Sequence, residues 1–111
     1  MKLKHDDRSW NNLKKAGALM RLTKHALTSA IVQMDKCFPK KDSSKLNTAL
    51  RLISEVCCIA DDKAVDTFPE KEQETMCIFY GAINIEPRNE TDKEVMEIAR
   101  DFIKERYNEA T

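Results

Sequence analysis

Residues 9–38 read SWNNLKKAGALMRLTKHALTSAIVQMDKCF, and their periodicity decides the fold class. Wound at 100° per residue, Leu13, Ala16, Leu19, Met20, Ala26, Leu27, Ala30, Ile31, Met34 and Phe38 share one apolar face roughly 140° wide. Lys14, Lys15, Arg21, Lys24, His25, Thr28, Gln33 and Lys36 fall opposite it. Asp6, Asp7 and Ser9 supply N-caps and the negative charge that a helix start favours. Pro39 stands just past the end, where the residue before a proline resists the α conformation. The stretch therefore predicts one long amphipathic helix over about 9–38. Gly17 inside it costs about 1 kcal/mol relative to alanine, so it marks either a close crossing or a kink.

The length of that helix is informative. At a rise of 1.5 Å per residue it makes a rod of roughly 45 Å. A compact chain of 111 residues is equivalent to a sphere only some 35 Å across. Either the rod breaks near Gly17, the fold is elongated, or a second chain covers the overhang. An elongated bundle or a dimer is the expectation.

Outward from the rod, Pro39 to Ser44 reads as a short polar connector between antiparallel helices. A second helix is expected over about 43–61, with Leu46, Ala49, Leu50, Ile53, Val56, Cys57 and Ala60 on one face. Leu52 and Ile59 widen that face towards half the circumference, which makes this helix the expected central packing element. A third, short helix is predicted over about 69–80, capped by Thr67 with Glu70 reaching back and ended by Gly81. Ala82 to Glu86 alternates weakly and reads as a packed loop, since a lone strand has nothing to pair with. Thr91-Asp-Lys-Glu94 forms a capping box that opens a fourth helix over about 91–107, with Val95, Ile98, Ala99, Phe102 and Ile103 inside and Met96 and Tyr107 at one edge. The fold class is all-α: a single domain, an elongated irregular four-helix bundle built on the first helix.

Composition narrows the function classes. No run of apolar residues is long enough to span a membrane, and Met1-Lys-Leu-Lys lacks the apolar core of a secretory signal. The expected location is cytoplasmic. Four cysteines, Cys37, Cys57, Cys58 and Cys77, have neither the paired spacing nor the nearby histidines of a zinc site, and read as buried reduced thiols. Asp61, Asp62, Asp66 and Glu70 cluster without the central glycine of a calcium loop, and read as helix-end charge. No metal and no cofactor are expected. Asn89-Glu-Thr91 matches a glycosylation sequon, but in a cytoplasmic chain it stays unmodified.

The formal net charge is zero, yet unevenly laid out. Residues 1–41 hold ten Lys/Arg against three Asp, and residues 42–111 hold nine against sixteen Asp/Glu. Such a split either holds the two halves together or offers a basic ridge to an acidic partner. Lys14, Arg21 and His25 fall within about 40° of one another on the first helix, with Trp10 beside them, as a phosphate-gripping and base-stacking surface requires. No helix-turn-helix or RNA-binding signature accompanies them. Trp10 and Val32 are apolar on the polar side of the rod, as a partner surface needs. Arg21-Leu-Thr-Lys-His25 sets arginine and histidine one turn apart with no second acid or base for general catalysis.

The sequence thus points away from an enzyme and towards a small non-catalytic interaction protein: an adaptor, inhibitor or regulator. It is expected to present helix faces to a protein partner or to itself as a homodimer. The residues expected to bind a partner are Trp10, Lys14, Arg21, His25 and Val32. The alternative is a nucleic-acid-binding protein using the basic ridge.

Overall fold

A computed structural model of the chain describes residues 8–83 and 86–110, with side chains described up to Glu105. Asp6 and Asp7, residues 84 and 85 of the loop read over Ala82 to Glu86, and the side chain of Tyr107 lie outside that set. The described residues form an all-α bundle with no strand. Its elements are α1 (Trp10–Cys37), α2 (Lys40–Thr67), a 3₁₀ turn (Pro69–Lys71), the single-turn α3 (Glu72–Thr75) and α4 (Glu90–Ala110). The molecule measures 47 × 32 × 31 Å, and its radius of gyration of 15.7 Å exceeds the roughly 13 Å of a compact chain this long.

α1 runs unbroken through Gly17. The Ser9 side chain caps it by accepting the Asn12 N–H at 3.2 Å. Phe38, extended at φ −135° and ψ 156° before Pro39, ends it as the pre-proline clash demands. The connector is far shorter than the expected Pro39 to Ser44, since α2 starts at Lys40. Pro39 is already the N-cap of α2, its fixed φ suiting a helix start, and Ser43 lies inside the helix, where its hydroxyl donates to Asp35 Oδ1.

α2 also overruns its expected end at Asp61 by six residues. Its far end returns to the start of α1, where the Trp10 and Phe68 rings meet edge to face at 5.1 Å. The two helices are therefore antiparallel over their whole length. α2 packs on α1 and on the short segment after it, whereas α1 touches both α2 and α4. The central element is α1, a correction to the sequence reading. Among the described residues no second long helix covers the wide apolar arc of α2, so Leu52, Val56 and Ile59 stay exposed.

The third helix is cut short. Thr67 is the last residue of α2 and donates its hydroxyl back to Lys63, so the expected capping box does not form. After Thr75 the chain leaves the helix, and Gly81 sits in a loop at φ 147°, a left-handed value that side chains resist. α4 departs from its expected bounds too, starting one residue early at Glu90, because Asn89 Oδ1 accepts the Asp92 N–H at 2.8 Å. Thr91 is buried and is not the cap. Ala18, Cys57, Ala64, Ile78, Phe79, Ile83, Val95 and Ala99 form the core, its three alanines letting helices and loop approach closely.

Candidate functional site

The basic ridge faces inward. The Arg21 side chain is completely buried and pairs with Asp92 Oδ1 at 2.7 Å. Its Nε donates to the Ile78 carbonyl at 3.2 Å, Nη1 to Ala82 O at 2.8 Å, and Nη2 to Cys77 O. Lys24 donates to Phe79 O at 2.8 Å and stands over the Tyr80 ring. From α4's side, Arg88 donates to Tyr80 O and to both Asp92 oxygens. Residues 77–82 therefore make no helix because α1 and Arg88 take their carbonyls. Gly17 completes the seat: a Cβ there would lie 2.4 Å from the Ile78 carbonyl oxygen.

Asp92 is the negative centre of this cluster. Burial alone would raise its pKa. The hydrogen bonds from Arg88 and Arg21 outweigh that and bring it down to about 2. Asp61, half-buried on α2, moves the other way, raised by burial and by Asp62 beside it. The Tyr80 hydroxyl is also pushed up, by its bond with the Cys58 thiol and by burial.

Of the five residues expected to bind a partner, three have internal partners. Trp10 is half-buried between Phe68 and the Lys71 ammonium, 4.4 Å from its ring centre. Lys14 pairs with Glu94, and Arg21 is buried as described. The charge split is used, at these two pairs, to hold α4 to α1. A phosphate approaching the ridge would find Arg21 sealed off. His25 and Val32 remain exposed. All four cysteines are free thiols, but only Cys57 and Cys77 are buried; Cys37 and Cys58 are exposed. Among the described residues no group of three His, Cys, Asp or Glu side chains could hold a metal, and no helix is long and apolar enough to cross a membrane.

The exposed surface of the helices lies elsewhere. With the loop on the Gly17–Arg21 side of α1, α2 and α4 occupy its two flanks, and among the described residues the fourth side is open. There Ala16, Leu19, Thr23, Ala26 and Ala30 are exposed. The buried arc of α1 is thus turned by roughly a third of a circle from its apolar face, at 100° per residue. Trp10–Phe68 at one end and Asp35–Ser43 at the other set one register, which puts Leu19 level with Ile59 and Ala26 level with Leu52. On the α4 side the same face deepens into a cleft of about 470 Å³, lined by Leu19, Leu22, Ala26, Ile83, Phe102 and Ile103 with His25 at its rim.

No family model, no curated protein and no solved structure matches this chain. Sequence reasoning found the residues of the open face but assigned them to the core. Leu19 and Ala26 were on the predicted inner face of α1, and Val56 and Ile59 on the apolar arc of α2. The one signal that separated them was the excess width of that arc over what a single neighbour can cover.

Proposed function

We propose that the chain is a small non-catalytic interaction protein of the cytoplasm, an adaptor, inhibitor or regulator, which binds through its uncovered helix faces. The observation that carries this reading is the open side of α1 and α2 with the adjoining α1–α4 cleft. Among the described residues eight large hydrophobic side chains are exposed, including Leu19, Leu52, Val56, Ile59 and Ile103. Scattered single residues of this kind are ordinary, whereas a contiguous patch marks an interaction surface. Of the residues first nominated, His25 and Val32 remain accessible to a partner, and His25 borders the cleft.

The test is affinity capture from the source cells with wild-type bait against Leu52→Glu and Ile103→Glu baits. The expected result is a protein, or an untagged copy of the chain, held by the wild type and lost by a charged variant. Identical capture by all three baits, or none by any, would sink the reading. Salt-sensitive binding of a mixed-sequence oligonucleotide that survives both substitutions would favour the nucleic-acid alternative instead.

A further inference from the structure

We infer that the open face of the α1–α2 hairpin is the contact surface for a second copy of this chain, packed face to face about a two-fold axis. This rests on the reading of the chain as an interaction protein, and it names the occupant of that face.

Three observations carry it. The first is area. Two antiparallel helices of 28 residues are about 42 Å long and, with axes 8–10 Å apart, present a face of roughly 800 Å². That is about what each partner contributes to a standard stable interface. The second is charge. The open strip of α1 from Ala16 through Leu19, Thr23, Ala26 and Ala30 carries no ionisable side chain. On α2 the strip Leu52, Val56, Ile59 is bounded by Lys45 and Lys63, close to its two ends. A face neutral along its centre cannot select a partner by opposite charge, but it can pack against its own copy without repulsion, as an isologous contact requires.

The third is layering. Helical domains are built of two packed layers around a core. Here α4, α1 and α2 make one layer that, among the described residues, is covered on one side only, by residues 76–83, and the molecule is correspondingly long and open. A second copy supplies the missing layer and buries the apolar side chains of both.

Sedimentation equilibrium on the full chain, from micromolar to near-millimolar protein, tests this. The expected result is a two-chain species. Val56→Glu places a like charge from each copy in the centre of the contact and should raise the dissociation constant by about tenfold or more. Met76→Glu, which charges an equally exposed side chain on the loop side, should leave it unchanged. Circular dichroism checks that each variant keeps its helix content; if Val56→Glu does not, Leu52→Glu one turn away replaces it. A wild type that stays single at every concentration overturns the inference. So does a two-chain species indifferent to the α2 variants or equally weakened by Met76→Glu. None of these outcomes touches the broader reading, which fails only if the charged baits lose no partner.

Discussion

An alanine at Gly17 would gain about 1 kcal/mol of helix propensity, yet its Cβ would stand 2.4 Å from both Cγ2 and the carbonyl oxygen of Ile78. A side chain can swing aside, but the carbonyl belongs to a backbone clamped by Arg21. Overpacking of this kind costs about 1–3 kcal/mol, so Gly17→Ala should lower the urea midpoint despite its better propensity. A raised midpoint would show that the loop yields. The same seat explains why Arg21 was misread. Its carbonyl partners lie 56 to 61 residues away in the chain and Asp92 further still, and nothing in the local pattern of α1 distinguishes it from Lys15, which is exposed. A periodicity argument sorts residues by polarity, and an arginine that satisfies three buried carbonyls looks identical to one in water.

At the level of elements, the start of α4 sets two caps in competition. Asn89-x-x-Asp92 and Thr91-x-x-Glu94 both fit the N-terminal pattern, and the structure uses the first. Asn89→Ala should therefore cost about 1 kcal/mol and speed amide exchange at Asp92. Glu94→Gln, which loses a partly exposed pair with Lys14, should change stability by less than about 1 kcal/mol. Were Glu94→Gln the more damaging of the two, the Lys14–Glu94 pair would hold the start of α4 more strongly than the Asn89 cap does. α1 was legible to within a residue at each end, because Ser9 and Pro39 act locally. α2 was not: its acidic stretch Asp61-Asp-Lys-Ala-Val-Asp66 looks like a break, but Ala64 is fully buried and keeps it on the bundle. The end of α3 was illegible for the reason Arg21 was, since its carbonyls are claimed from distant elements. In the same way the apolar faces of α1 and α2 were found correctly, but which part of each would be covered depends on where α4 and the loop lie.

For the whole molecule, the join between the basic and acidic halves of the chain at Asp92 sets how stability follows pH. An unfolded aspartate titrates near 3.9, while folded Asp92 is held at about 2. Above roughly pH 5 both states are ionised and the stabilisation, about 2–3 kcal/mol from that difference, is fully present. As the pH falls, the unfolded chain takes up its proton first, so the stabilisation drains away between about pH 5 and pH 2. Asp61 has the opposite sign: its raised folded pKa means that ionisation disfavours the fold, and acid relieves it. Urea midpoints measured from pH 7 to pH 3 should therefore fall steeply in the wild type and more steeply still in Asp61→Asn. They should fall less in Asp92→Asn, which starts lower because Arg21 is left buried without its counter-charge. Arg21→Met should make that fall smaller and end it at higher pH, because removing one of the two cations that depress Asp92 narrows the gap to the unfolded value. Parallel profiles for wild type and Asp92→Asn would mean that this carboxylate does not govern the acid limb, and that the two halves are held together chiefly by the apolar contacts around Ala18, Ile78 and Val95.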